Sequence, residues 1–148
     1  MGYHTVTHLL LAALRAELGA HVVQRGSNIT HERLRFDFSH GERLRPEELA
    51  QVEARVESWL ARDLVVERAT MTEAEARAIG AIGAFGEKYG AIVSVYAIAD
   101  RATGEVVSRE FCGGPHVAST AALRGRRFRI VREQGIASGI RRIKAVLA

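Results

Sequence analysis

The spacing of apolar positions predicts two long helices. In residues 4–18, leucines recur three and four positions apart, which is the repeat of one helix face, and Gly19 follows as a stop. A second helix is predicted to begin at Pro46, where Glu47 and Glu48 favour the positive end of the helix dipole. The apolar stripe of this second helix consists of Val52, Val56, Trp59 and Leu60.

Alternating apolar and polar positions predict strands elsewhere. The predicted strands are residues 20–24, 34–38, 64–66, 92–99, 105–111, 126–131 and 140–147. Residues 100–104 join two of these strands as a hairpin, and residues 136–139 form a turn. A short helix is predicted over residues 73–79, because Thr72 and Glu75 form a capping box. The pattern predicts an α+β fold, a two-layer sandwich of an antiparallel β-sheet with helices on one face, as a single domain of residues 1–148.

Two polar or glycine-rich segments interrupt this pattern. Residues 24–28 combine amide, guanidinium and hydroxyl groups, which suits either substrate contacts or an ordinary surface turn. Residues 80–90 contain four glycines but match neither a phosphate-binding loop nor a dinucleotide fingerprint. The interpretation that we favour for this segment is a mobile loop beside a metal site, and the alternative is a plain connector.

Charge and composition narrow the function classes. With 47% hydrophobic and 26% charged residues, the 148-residue chain has the balance of a soluble globular protein. Its net charge is +4, and arginines concentrate toward the end, which suits either an RNA contact or a solvated strand face. A single cysteine excludes an internal disulfide and predicts a cytoplasmic protein. No apolar run reaches the roughly 18 residues that would cross a bilayer, so no membrane partner is expected.

Two distant segments carry metal-ligand chemistry. His4 and His8 lie four residues apart, on the same face of the first predicted helix. The only cysteine, Cys112, follows a predicted strand and is separated from His116 by Gly113-Gly114-Pro115. Two imidazoles from one segment, with a thiol and an imidazole from the other, would suit tetrahedral Zn²⁺. The sequence therefore predicts that the two segments meet around one metal, although each pair alone is equally compatible with ordinary surface or core residues.

Five ordered blocks of this sequence resemble the editing domain of alanyl-tRNA synthetase and its free-standing trans-editing relatives. The first, H-T-V-T-H-L-L at residues 4–10, looks like that family's first zinc motif, and C-G-G-P-H at residues 112–116 looks like its second. Between them, Q-R-G-S at 24–27 with R-F-D-F-S-H at 35–40, and F-G-E-K-Y-G at 85–90, are similar to further family blocks. R-I-V at 129–131 with G-I-R-R-I at 139–143 resembles its closing strands.

The resemblance implies a zinc-dependent deacylase that hydrolyses alanine-specific tRNA wrongly loaded with serine or glycine. Its implied zinc ligands are His4, His8, Cys112 and His116, and Gln24 matches a family glutamine near the aminoacyl end. Three residues are hypothesised to assist catalysis by holding the substrate: Gln24, and Gly113 and Gly114 through their backbone N–H groups. The remaining candidate substrate-binding residues are Arg25, Ser27, Thr30 and Arg141.

Departures from the family pattern keep a second function open. Pro115 stands where the second zinc motif commonly has threonine, and Ala121 follows Thr120 where the family usually has glycine. A zinc-stabilised tRNA-binding module without catalysis is therefore the alternative, and hydrolysis of a free small molecule is a weaker one. The chain starts at the first zinc motif, so we expect either a free-standing deacylase, as a monomer or homodimer, or a piece of a larger enzyme.

Overall fold

The computed structural model describes residues 2–62, 64–83, 89–112, 123 and 126–148, without the side chains of residues 2–4. Within these residues the chain forms three α-helices and seven β-strands. The helices are α1 (Gly2–Leu18), α2 (Pro46–Ala61) and α3 (Glu73–Ala78). The strands are β1 (Gln24–Ile29), β2 (Leu34–Ser39), β3 (Leu64–Thr72), β4 (Ile92–Asp100), β5 (Val106–Phe111), β6 (Phe128–Ala137) and β7 (Ile140–Leu147).

The predicted α+β class is confirmed, but the strands divide into two antiparallel sheets rather than one. Four strands form a sheet in the order β1-β2-β7-β6, and three form a sheet in the order β3-β4-β5. Helix α1 contacts both sheets, through β1 and β2 on one side and β5 on the other, and it also packs along α2. The two helices and both sheets therefore share one main core.

This arrangement explains the composition of α1. Its residues from Thr5 to Leu11 are all buried, including two threonines and His8, so the helix is enclosed almost all round. The strands supply the facing aromatic side chains, and Phe36, Phe38 and Phe128 are completely buried. A smaller second cluster forms around Val93, Val95 and Phe111 beneath α3.

The predicted strand at residues 20–24 and the polar turn at residues 24–28 are both wrong. The strand begins where the turn was expected, because β1 runs from Gln24 to Ile29 and pairs antiparallel with β2. β1 is an edge strand with one neighbour, so backbone pairing holds it in the sheet although most of its side chains are polar and exposed. A bulge between Gln24 and Gly26 leaves Arg25 as the extra residue.

Two other strands are longer than predicted. β3 continues to Thr72, since its exposed half stays paired with β4. β6 continues to Ala137, so the predicted turn at residues 136–139 shrinks to Ser138 and Gly139. Bulges at Ile130/Arg132 and Gly135/Ala137 shift the alternation of β6, which is why the sequence pattern ended early. The capping box predicted for α3 is confirmed, because Thr72 Oγ1 accepts from Glu75 N at 3.1 Å.

The outer edge of β6 is occupied by carboxylates from α2. Glu57 accepts a hydrogen bond from the backbone N–H of Phe128 at 3.1 Å. Glu53, one helical turn earlier, accepts from the N–H of Ile130 at 2.9 Å. These two side chains tie α2 to the sheet and satisfy donors that an edge strand otherwise leaves open.

Asp100 organises the hairpin between β4 and β5, and this role predicts a pH effect. Hydrogen bonds from the Arg62 guanidinium and from the backbone N–H groups of Ala102 and Thr103 lower the pKa of the Asp100 carboxyl. The carboxylate therefore stabilises the fold above its unfolded pKa, and this contribution is lost as the pH falls through its folded pKa. We expect Asp100→Asn to flatten the acid limb of stability, measured by urea unfolding from pH 7 down to pH 2.

An unchanged acid limb in Asp100→Asn would contradict this role. Glu67→Gln, at an exposed position of β3, is the matched control and should follow the wild-type chain.

None of the helices in the described part of the chain combines the length and apolarity that crossing a bilayer requires.

Candidate functional site

The structure brings His8 and Cys112 together, although more than a hundred residues separate them. His8 lies on α1 with 7% of its surface exposed, and Cys112 directly follows the last residue of β5. The backbone N–H of Cys112 donates to the carbonyl of Ser94 at 3.1 Å, which aligns it with the end of β4. The Cys112 side chain lies close enough to His8 to raise the pKa of its imidazole. The predicted meeting of the two segments is therefore observed for one residue of each.

A buried carboxylate that sequence reasoning missed completes this contact. Glu110 is 5% exposed and hydrogen-bonds His8 Nδ1. Its Oε2 also accepts from Ser108 Oγ at 3.1 Å. The signal for it was present, because Ser108, Glu110 and Cys112 alternate along one side of β5 and its continuation, which places a charged residue on a buried face.

The residues around His8 favour the protonated, positively charged form of its imidazole. Burial lowers the pKa of His8, but the Glu110 carboxylate and the hydrogen bonds with Cys112 and Glu110 outweigh it and raise the pKa above its usual range. Since Nδ1 faces Glu110, Nε2 is the nitrogen left to bind a metal, which would have to displace the proton on that nitrogen. A carboxylate on the second ring nitrogen is the usual support of a metal-binding histidine. The donors around His8 therefore fit a nitrogen- and sulfur-bound cation such as Zn²⁺.

The complete four-ligand set stays a prediction. Position 4 lies one helical turn before His8 on α1, but the His4 side chain is outside the described residues. Gly113, Gly114 and His116 also lie outside them. Among the residues that the structure does describe, no group of three or more histidine, cysteine, aspartate or glutamate side chains is arranged to hold a metal.

The two ends of the glycine-rich segment flank the residue before Cys112. Ile82 pairs with β5, accepting from Phe111 N and donating to the carbonyl of Arg109, both at 3.0 Å. Tyr89 packs edge-on against the Phe111 ring, with 4.6 Å between centroids. A Cβ at Gly83 would lie 2.6 Å from the Tyr89 hydroxyl, so this position needs glycine. Residues 84–88 lie outside the described part, and the predicted mobile loop stays a prediction.

A cavity of about 340 Å³ opens beside Glu110, between α1 and β5. Leu11, Ala12 and Arg15 line it from the helix, and its other walls come from β5 and from residues 79–82. Its volume lies within the range of small-molecule pockets, roughly 300–1,000 Å³. The cavity therefore offers an open, ligand-sized space next to Glu110, which hydrogen-bonds His8.

The predicted substrate residues of β1 lie on the other sheet. Gln24 is half-buried, and its side-chain Nε2 donates to Ser27 Oγ at 3.1 Å, rather than to His8 or Cys112. Arg25 and Ser27 are exposed beside the bulge. Thr30 shapes the turn into β2, because its Oγ1 accepts from the N–H groups of Glu32 and Arg33. Substrate roles for these four residues stay predictions.

Arg141 is engaged inside the protein. Its Nε and one terminal nitrogen donate to the two carboxylate oxygens of Glu133, at 2.6 and 2.7 Å. The Glu133 side chain is 3% exposed and the Arg141 side chain 18%. Gly135 stands opposite Arg141 on β6, where a Cβ would lie 2.6 Å from the guanidinium. The ion pair with Glu133 gives Arg141 a structural role. Its predicted role in substrate binding stays a prediction.

Comparison with known sequences points to one kind of protein. Residues 93–144 match the family described as the threonyl and alanyl tRNA synthetase second additional domain. The chain is 52% identical over 145 residues to an alanine–tRNA ligase of Treponema denticola, which covers 98% of this chain and 23% of that protein. It is 50% identical over 144 residues to the enzyme of Borreliella burgdorferi, covering 97% of this chain and 23% of that protein.

A ligase from a third organism gives the same result. An alanine–tRNA ligase of Thermus thermophilus is 48% identical over 143 residues, covering 97% of this chain and 16% of the ligase. The chain thus spans less than a quarter of the length of these relatives. The resemblance to the alanyl-tRNA synthetase editing region is confirmed.

Proposed function

We propose that this chain is an aminoacyl-tRNA deacylase, because nearly its whole length is similar to one segment of alanyl-tRNA synthetases. It hydrolyses the ester of alanine-specific tRNA that carries serine or glycine, and so proofreads translation. The observation that carries the proposal is the contact of His8 with Cys112 beside a buried glutamate, in a chain about half identical to those synthetases. The compartment we propose is the cytoplasm.

The proposed cofactor is one Zn²⁺ held by His4, His8, Cys112 and His116. When bound, such an ion polarises an oxygen of the substrate or orients it for attack by water. Four protein ligands leave no open position, which favours orientation of the substrate or exchange of a ligand. The buried Glu110 carboxylate fixes the ring of His8 through Nδ1 and so keeps Nε2 directed at the site.

The chain's own groups would bind the ester and exclude other substrates. Backbone N–H groups of Gly113 and Gly114 are proposed to donate to the carbonyl oxygen as negative charge develops on it. Gln24 and its neighbours Arg25 and Ser27 are proposed to hold the tRNA end. The cavity beside Glu110, at about 340 Å³, is proposed to receive the small aminoacyl side chain.

Deacylation of charged alanine tRNA tests this proposal. Serine-, glycine- and alanine-loaded tRNA would be incubated with the purified chain, with a chelator, and with the chelator followed by Zn²⁺. We expect release of serine or glycine with alanine retained, loss of release with the chelator, and recovery with Zn²⁺. tRNA binding without turnover by the zinc-loaded chain would instead support the alternative of a non-catalytic binding module.

A further inference from the structure

A row of cations without ion-pair partners among the described residues crosses the outer face of the four-stranded sheet. Arg35 on β2 stands directly opposite Lys144 on β7, and Lys144 stands directly opposite Arg132 on β6. Directly opposed residues of antiparallel strands project from the same face, and strands lie about 4.8 Å apart. The three cations therefore span about 10 Å of one face in a straight row. Arg129, opposite Val146, adds a fourth cation to the same face.

The fold neutralises the neighbouring arginines but not these. In the adjacent row Arg142 donates to both carboxylate oxygens of Asp37, at 2.7 and 3.0 Å. Arg141, on the opposite face of β7, is bound by Glu133. By contrast, none of the three cations of the row forms an ion pair in the described part of the chain, and neither does the fourth cation, Arg129. The buried Nε of Arg35 also has no hydrogen-bond partner there.

Such a row works against folding unless an anion meets it. Like charges directly opposite each other on neighbouring strands destabilise a sheet, and a buried charged donor without an acceptor adds to that effect. Asp37 and Glu133 neutralise the neighbouring arginines of the same sheet, so the sheet can hold acidic side chains beside basic ones. An anion that neutralises this row would therefore come from another molecule.

The positive surface continues around the edge of β6. A cavity of about 640 Å³ lies there, with Arg132, Arg43 and Arg45 on its walls. Arg45 is bonded to Glu48 across the start of α2, whereas Arg43 has no such partner among the described residues. Leu44, Leu49 and Ile130 also line the cavity, as does Glu133, whose carboxylate is paired with Arg141. Arginines beside apolar side chains suit a nucleotide, which presents phosphate and a flat base.

We infer that this outer face, defined by Arg35, Arg129, Arg132 and Lys144, docks the phosphate backbone of the tRNA. That the bound polyanion is tRNA rests on the proposed function. The position of the surface rests on the strand register and on the charges of these four residues. Phosphate contacts of this kind fix the position of a nucleic acid without reading its sequence. The inference thus separates a docking surface on the four-stranded sheet from the His8 site beside the three-stranded sheet.

The test is the salt dependence of binding to uncharged alanine tRNA. Arg132→Gln with Lys144→Gln removes two exposed cations from the row. Arg68→Gln with Arg101→Gln removes the same charge from exposed positions on β3 and in the turn between β4 and β5. At equal salt, we expect the row variant to bind at least about tenfold more weakly, with its salt slope reduced by about two, and the control variant to match the unmodified chain.

Equal losses in the two variants, or no loss in the row variant, would overturn the inference. Thermal unfolding and zinc content, measured on both variants, would identify a folding defect, and Arg129→Gln alone should then still reduce the slope by about one. Because binding of uncharged tRNA requires no hydrolysis, this result is distinguishable from failure of the proposed function. If the chain does not hydrolyse charged tRNA but the row variant shows a reduced salt slope, the docking surface is supported and the proposed function is not. If the chain is active but the salt slopes of all variants are equal, the docking surface is contradicted.

Discussion

Replacing Cys112 with serine is expected to remove both the bound zinc and the hydrolysis of serine-loaded tRNA. A serine hydroxyl is a poor zinc ligand, and the loss of one of four ligands also frees the segment that follows β5. Hydrolysis should fall by more than about 100-fold. Replacing a residue that only supports a metal ligand typically costs about 10- to 100-fold, and loss of the ligand itself should cost more. The measurement is zinc content per chain by mass spectrometry, together with deacylation under single-turnover conditions.

Two further variants make this result specific. Glu110→Gln keeps all four ligands but weakens the support of His8, so zinc affinity should fall by about 10- to 100-fold. Competition with a chelator would measure that affinity without reference to activity. His31→Ala removes a histidine whose side chain is 90% exposed and should change neither property. One zinc per chain in Cys112→Ser, bound as tightly as before, would disprove the proposed centre.

Arg141→Met is expected to destabilise the fold by about 3–5 kcal/mol. The substitution leaves Glu133, whose side chain is 3% exposed, as a buried charge without its bidentate partner. Urea unfolding would measure the free energy of unfolding. Arg129→Met, at an exposed position of the same sheet, is the control and should change that free energy by less than about 0.5 kcal/mol.

The double variant separates a structural role of Arg141 from a substrate role. Replacing Glu133 with leucine as well removes the uncompensated charge, so most of the lost stability should return. If Arg141 acts only through packing and charge balance, the stable double variant deacylates tRNA as the unmodified chain does. A double variant with restored stability and a raised KM would instead assign Arg141 to substrate binding, as its place in the closing strands suggested.

Local pattern was sufficient to predict the helices and the inner strands. The leucines of α1 and the stripe of α2 repeat with helical spacing, and β2 alternates buried phenylalanines with charged residues. The polar strand β1 was missed because its place in the sheet comes from pairing with β2, which no local pattern records. The division into two sheets was missed for the same reason, since strand order is a property of the whole chain.

The proximity of two distant segments was predictable where residue types are rare. The single cysteine and the paired histidines identified both segments of the candidate centre. Glu110 was missed because a lone glutamate in a strand usually faces solvent, and only the fold places it against His8. Arg141 was predicted to bind substrate in a segment that resembles the family's closing strands, whereas the bulged register of β6 sets it against Glu133.

The carboxylates of Glu53 and Glu57 on β6 bear on how copies of this chain associate. A second molecule that tried to extend the sheet there would first have to pull both side chains off the backbone donors of Phe128 and Ile130. Strand addition at this end of β6 is thus disfavoured, while β1, the opposite border of the same sheet, has no strand beyond it among the described residues. A dimer that extended the four-stranded sheet would therefore use β1 and cover Gln24 and Arg25, so that this mode of self-association and tRNA capture would compete for the same border.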